Sequence, residues 1–241
     1  ALGGRRITLR TLDVGGDKPL PYVPAPVEAN PFLGVRGLRL ALRASDLFAT
    51  QLRAIVRTAH ATPVSVMFPM VSTVAELAAA RAALDAAIAA EGRGVPAELQ
   101  VGMMVEVPAA ALRAAAFAPH VDFLSIGTND LTQYALAAER GNDAVAALAD
   151  PLDPAVLALV AATCRGAGDD VLVAVCGEVA ADDAAAALLV GLGVRELSVA
   201  APAVAGVKQS VRDIDLAAAA ALADQALRAP DADTVRALTA G

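Results

Sequence analysis

Six short, apolar, β-rich runs recur along the chain, and between them lie longer stretches with helical periodicity. The runs are RITLRTLD (6–13), VSVMFPM (64–70), VGMMVEV (101–107), VDFLSIG (121–127), VLVAVCGE (171–178) and ELSVAA (196–201). Their hydrophobicity is nearly continuous, whereas a strand with one wet face alternates. This predicts strands buried on both faces, in a parallel sheet covered by helices. Strand–helix alternation admits a doubly wound sheet or a (β/α)8 barrel. No strand leads into a Gly-x-Gly-x-x-Gly turn, so dinucleotide binding is not indicated. Polar and charged residues gather at the C-terminal ends of most strands, where a barrel carries its active site. A closed barrel of that kind needs eight strands, and the pattern supplies six.

The helical stretches have recognisable starts. Thr73 and Glu76 stand at capping-box spacing ahead of VAELAAARAALDAAI. Asp153 precedes Pro154 as a capping acid before a first-turn proline, and Gly166 after AVLALVAATCR reads as the end of that helix. In DLFATQLRAIVRTA, Phe48, Leu52, Ile55 and Val56 fall on one stripe. The Pro- and Gly-rich stretch GGDKPLPYVPAPVEANPFLG is a long loop, and loops of that length are usually functional or disordered. The 241 residues suit one sizeable core, read as a single domain over 1–241.

A net charge of −7 argues against nucleic acid or an anionic membrane as a partner, so an anionic ligand needs a local cationic pocket. The two cysteines, Cys164 and Cys176, form neither a metal knuckle nor a disulfide framework, which suits a reducing cytoplasm. The N-terminus has no signal-peptide pattern, and acids interrupt the alanine-rich runs before they reach membrane-spanning length.

The strand ends carry the chemistry. The first presents Arg10 and Asp13, and the loop after it Lys18 and Arg36. The third ends in Glu106, and the fourth leads into Asn129 and Asp130, with Arg140 farther on. The fifth ends in Cys176 and Glu178. Each residue alone has an ordinary reading. Glu106 suits a helix N-terminus, Arg10 and Arg36 suit ion pairs, Asn129-Asp130 suits a turn or cap, and Cys176 suits a packed thiol. Together they make a cationic cup with two hard oxygen ligands fit for Mg²⁺, arginine forks fit for phosphate or carboxylate, and a thiol. Arg39, Arg43 and Arg53 follow helical spacing and read as a solvated face. Met67, Met70, Met103 and Met104 read as core filling within strands. His60 and His120 each precede a strand, at the end away from this cup, so a histidine mechanism within the chain is not expected.

RTLDVGGDKPLPY, NPFLGVRGLR, MFPM, GMMVEVPAA, FLSIGTNDLTQYALAAERGN, DPLDPAVL and VCGE, in this order, closely resemble the C-terminal domain of Enzyme I of the bacterial phosphoenolpyruvate:sugar phosphotransferase system. The resemblance implies a (β/α)8 barrel, here with about six of its eight strands. It also implies binding of phosphoenolpyruvate and Mg²⁺, dimerisation, and a cytoplasmic role in sugar uptake. By resemblance, Glu106 and Asp130 are Mg²⁺ ligands, and Arg10, Lys18, Arg36, Asn129, Asp130 and Arg140 cradle phosphoenolpyruvate. Cys176 resembles the residue that protonates the departing enolate to give pyruvate. Glu178 receives no role.

The family's phospho-accepting histidine, on a separate domain, has no counterpart motif here. Nor does its Tyr-Arg-Thr-Glu segment, which precedes RTLD. The chain therefore reads as a truncated substrate domain lacking the first two barrel strands. Its partners would be the phosphohistidine domain and a downstream phosphocarrier protein. Pyruvate phosphate dikinase and phosphoenolpyruvate synthase share the barrel and thiol, but RTLDVGGDKPLPY and AERGN favour Enzyme I. The competing class is a non-catalytic module that senses phosphoenolpyruvate or only dimerises.

Overall fold

The computed structural model describes residues 3–15 and 28–239, which form parts of two compact units, Ala1–Met104 and Val105–Gly241. Lys18 and most of the proline-rich loop lie outside the described residues.

The first unit runs β1 (Ile7–Arg10), α1 (Leu38–Arg43), α2 (Ser45–Ala59), β2 (Val64–Phe68), α3 (Val74–Glu91) and β3 (Leu99–Val105), whose last residue opens the second unit. The strands are parallel and follow one another in sequence order, with Ile7 opposite Val64 and Val64 opposite Leu99. All five residues of β2 are buried, as its unbroken apolar run requires. The α2 stripe of Phe48, Leu52, Ile55 and Val56 is buried as expected, with the Phe48 ring edge-on to Phe68 at 6.3 Å between centroids. The capping box at α3 is present: Thr73 Oγ1 accepts from the Glu76 N–H at 3.2 Å, and the Glu76 carboxylate accepts from the Thr73 N–H at 3.0 Å.

Arg39 corrects one expectation. It is not part of a solvated face: its guanidinium donates to Glu76 at 3.2 Å, to Ser72 Oγ at 3.0 Å and to the carbonyls of Leu33 and Gly34. It therefore ties the start of α3 to the loop ahead of α1. Arg53 donates to Glu91 at 2.8 Å, linking α2 to α3.

The second unit runs α4 (Pro108–Leu112), α5 (Ala114–Phe117), β4 (Phe123–Gly127), α6 (Thr128–Leu136), α7 (Pro154–Ala167), β5 (Leu172–Cys176), α8 (Asp183–Gly191), β6 (Glu196–Ser198), α9 (Val204–Asp213), α10 (Leu216–Ala226) and α11 (Ala232–Thr239). Its strands are also parallel and in sequence order, with Gly127 opposite Cys176 and Cys176 opposite Ser198. Asp153 caps α7 by accepting from the Ala155 N–H at 2.8 Å, with Pro154 as the first helical residue.

Gly166 does not end α7. The helix continues to Ala167, and Gly168, at φ +67°, follows it. A Cβ on Gly166 would lie 2.7 Å from the Ala115 backbone nitrogen and 2.8 Å from Ala114 Cβ. This glycine is a site of close helix packing, and it merely lies near a helix end.

The six strands among the described residues, alternating with helices, establish an α/β fold. β1, β2, β5 and β6 stop short of the C-terminal ends of their sequence runs, β4 starts later than its run, and β3 keeps the length of its run but lies two positions earlier. Asp13, Glu106 and Glu178 therefore lie beyond the strands, Glu178 as the first residue of a short 3-10 helix. The expectation of burial on both faces holds for β2 and β4 but not for β1 or β6, which alternate. Those two stand at the outer end of their unit's strand order. Among the described residues, no helix is long and apolar enough to cross a membrane.

Candidate active site

In the first unit, Arg10 is the last residue of β1, and Asp13 lies just beyond it. The Asp13 carboxylate accepts from Arg36 Nη2 at 3.1 and 3.3 Å and from Arg10 Nη1 at 3.5 Å. The Arg36 and Asp13 side chains are each 1% exposed, whereas the Arg10 side chain is 40% exposed. Arg36 also sits over the Phe32 ring, its guanidinium carbon 5.8 Å from the centroid. Asp13 thus organises both predicted arginines, a role the sequence did not reveal.

The backbone closes tightly around this pair. A Cβ on Gly37, at φ +55°, would lie 2.8 Å from Met70 Cβ and 3.2 Å from Asp13 Oδ1. Met70 is not in β2; it follows the strand at φ +57°, a left-handed conformation rare for a non-glycine residue. Met67, Met103 and Met104 do fill core positions within strands.

In the second unit, Glu106 follows the end of β3 and precedes the Val107 cap and Pro108 of α4. It is 1% exposed, too buried for a simple helix-dipole acid at the surface. Asn129 and Asp130 occupy the first turn of α6, directly after β4, and Asp130 is 8% exposed. Cys176 is the last residue of β5. Its Sγ donates to the Ile126 carbonyl at 3.4 Å and accepts from Ser125 Oγ at 3.6 Å. Thr128 Oγ1 donates to the Cys176 carbonyl at 3.0 Å, and Asn129 Oδ1 accepts from the Glu178 N–H at 3.4 Å.

The end of β5 is thereby fastened to the β4–α6 turn. Gly177 makes the approach possible. At φ +106° and ψ −179° it occupies a region essentially reserved for glycine, and a Cβ there would lie 2.3 Å from Thr128 Oγ1 and 2.9 Å from Asn129 Oδ1. Gly177→Ala is expected to cost about 1–3 kcal/mol of stability by straining the turn against Thr128 and Asn129. An unchanged urea midpoint would show that the turn tolerates a side chain there.

Arg140 arrives by a different route. Ala137, at φ +52°, turns the chain back after α6, and the Arg140 N–H donates to Gln133 Oε1 at 2.8 Å. Asn129, Thr132, Gln133, Arg140 and Glu178 then line one cavity of about 140 Å³. Within this unit the structure brings Asn129 and Arg140 into one cavity, and it ties Cys176 to the same turn as Asn129. Ser125, Thr128 and Gln133 were not anticipated. The signal for Ser125 was present, because a hydroxyl inside an apolar strand demands a partner.

A larger cavity, of about 610 Å³, opens at the N-terminal end of β5 among Cys164, Arg165, Asp169 and Arg195. None of the predicted site residues lines it. Neither cysteine is in a disulfide, and burial pushes the Cys164 thiol up to about 11, which leaves it inert at neutral pH. His120 lies just before β4 and His60 just before β2, at the opposite strand ends from these groups.

The family of the PEP-binding domain of PEP-utilising enzymes matches residues 1–216. The chain belongs to that family. This PEP-binding domain is 52% identical over 233 residues to a phosphoenolpyruvate-protein phosphotransferase of Haloferax volcanii, covering 94% of this chain and 41% of that protein. It is 49% identical over 239 residues to a multiphosphoryl transfer protein of Rhodobacter capsulatus, covering 99% of this chain and 28% of that protein. The chain thus spans well under half the length of these relatives. Among solved structures, a citrate lyase from Burkholderia xenovorans superposes with a TM-score of 0.51 at 18% identity, over 80% of this chain and 66% of that one. That likeness concerns the fold alone.

Proposed function

We propose that this PEP-binding domain binds phosphoenolpyruvate at the C-terminal ends of its strands and converts it to pyruvate. It would do so as the substrate-binding part of a longer phosphoenolpyruvate–protein phosphotransferase. The observation that carries this reading is the fastening of the end of β5, which bears Cys176, to the β4–α6 turn that bears Asn129, with Arg140 lining the same cavity as Asn129. The names of the relatives at 49% and 52% identity support a phosphotransferase over a dikinase.

In this reading Arg10, Lys18, Arg36 and Arg140 neutralise the phosphate and carboxylate of the substrate, Arg10 and Arg36 being oriented by Asp13. The Asn129 carboxamide, its oxygen engaged by the Glu178 N–H, presents its NH₂ as a donor. The phosphorus–oxygen bond to the enol breaks as the phosphoryl group passes to a histidine on a separate domain. The Cys176 thiol then gives its proton to C3 of the enolate, and pyruvate results. Catalysis of this kind is mostly positioning and charge stabilisation.

Mg²⁺ fits the donor set. Glu106 and Asp130 are buried carboxylates with hard oxygen donors, and no cluster of three or more His, Cys, Asp or Glu occurs among the described residues. A cation held by two carboxylates takes its remaining ligands from water and substrate, the habit of Mg²⁺. When bound, it would offset negative charge on the phosphoryl and enolate oxygens.

For the fold we favour a (β/α)8 barrel over a doubly wound sheet. Strand order follows the sequence within each unit, with no reversal of the kind that marks a doubly wound switch point. A cytoplasmic homodimer serving sugar uptake, acting through a phosphohistidine domain and a phosphocarrier protein, completes the reading.

Proton NMR of pyruvate in deuterated buffer tests it, because reversal of the protonation step exchanges the methyl hydrogens. With Mg²⁺ present, the methyl signal is expected to decay at a rate proportional to protein concentration. A folded protein that binds phosphoenolpyruvate yet exchanges nothing would be a sensing module.

A further inference from the structure

Ser125 is a hydroxyl within an otherwise apolar strand, and it is 6% exposed. Its partner is the Cys176 sulfur, 3.6 Å away. The sheet register explains how they meet. Ser125 stands opposite Ala174, and Gly127 stands opposite Cys176, so Ser125 and Cys176 share a face one pleat apart. The two positions between them, Gly127 and Ala174, carry no side chain larger than a methyl.

The hydrogen-bond pattern around the sulfur has two parts with different uses. The thiol donates to the Ile126 carbonyl at 3.4 Å. A carbonyl holds a thiol but cannot stabilise a thiolate. In the proposed step the S–H bond breaks, its electron pair stays on sulfur, and the C2–C3 π pair of the enolate forms the new C–H bond at C3. The sulfur is then an anion, which a hydrogen-bond donor stabilises. The Ser125 O–H is a donor already directed at the sulfur.

We propose that Ser125 is a positioning residue that stabilises the thiolate form of Cys176 and so sets how readily this side chain releases and recovers its proton. The proposal rests on the reading of Cys176 as the proton donor.

The test uses the full 241-residue chain with Ser125→Ala and Ser125→Thr, each checked for folding by circular dichroism. Two rates are measured. One is alkylation of Cys176 by iodoacetamide at pH 8, followed by peptide mass spectrometry with half-buried Cys164 as the internal reference. The other is Mg²⁺-dependent methyl exchange of pyruvate. Ser125→Ala is expected to slow both by about tenfold, the scale of one hydrogen bond to a charged group. Phosphoenolpyruvate affinity stays unchanged, and Ser125→Thr, which keeps the hydroxyl, restores both rates. Equal alkylation rates in wild type and Ser125→Ala would overturn the proposal. So would equal losses in the alanine and threonine variants, which would mean a packing role only. If alkylation follows the hydroxyl while the wild type shows no exchange, the Ser125–thiolate coupling stands and the proton-donor reading of Cys176 falls.

Discussion

Cys176→Ala is expected to lower the rate of pyruvate methyl exchange by about a thousandfold and to leave phosphoenolpyruvate affinity nearly unchanged. The magnitude is that of a positioned general acid, roughly 10²–10⁴. The separation of the two effects follows from the geometry. The contacts that fasten the end of β5 to the β4–α6 turn run through the Cys176 carbonyl and the Glu178 N–H, and neither needs the sulfur. Removing the thiol therefore deletes the proposed proton source and leaves Asn129 in place. The measurement pairs the NMR exchange rate with a binding isotherm on the same preparation. Exchange that persists in the alanine variant would assign the proton transfer to another group. Binding lost together with exchange would give Cys176 a structural role.

The second large effect concerns the Asp13–Arg36 pair. Asp13→Ala is expected to cost about 3–5 kcal/mol of stability, the usual cost of breaking a buried ion pair by removing one partner. Arg36 is the partner left behind, and its side chain is 1% exposed. The Arg10 contact contributes little to this figure, because Arg10 is 40% exposed and its 3.5 Å approach is screened by water. Against a typical net stability of about 5–15 kcal/mol the loss is large, and it reads directly as a lower urea midpoint. The double variant Asp13→Ala with Arg36→Met should recover much of it, because a buried pair replaced by apolar side chains leaves no charge behind. A shift below about 1 kcal/mol in the single variant would mean that water reaches Arg36 and that the pair is not buried in solution.

The strands were legible because their apolar runs are dense enough to leave few alternatives, as in VSVMF of β2, where every residue is buried. Their limits were less legible. Hydrophobicity continues past the last ladder bond, so Glu106 and Glu178 looked like strand residues and prove to lie beyond the strands, Glu178 opening a short 3-10 helix. Gly166 shows a different limit. A glycine near a helix end reads as a cap, and only the neighbouring helix backbone reveals it as a contact.

The same holds for the arginines. Arg39 and Arg43 share one helical spacing, yet Arg39 meets Glu76 and two carbonyls because a loop returns beside it. At the site, the chemistry-bearing residues were readable by type and by position at strand ends. The residues that hold them were not. Asp13 and Thr128 are ordinary polar residues whose function depends on partners distant in sequence, and Gln133 depends on the chain reversal that returns Arg140 to it. Gly177 and Met70 owe their roles to backbone conformation, which composition does not encode.

The most direct measurement is calorimetric titration of phosphoenolpyruvate into this chain, with Mg²⁺ and again with EDTA, for the wild type and Asp130→Ala. Binding is expected with Mg²⁺, to weaken sharply in EDTA, and to be lost in the Asp130→Ala variant. Asp130, 8% exposed at the first turn of α6, is the carboxylate assigned to both metal and substrate. Binding of equal strength with and without the cation, or an Asp130→Ala isotherm matching the wild type, would contradict the site.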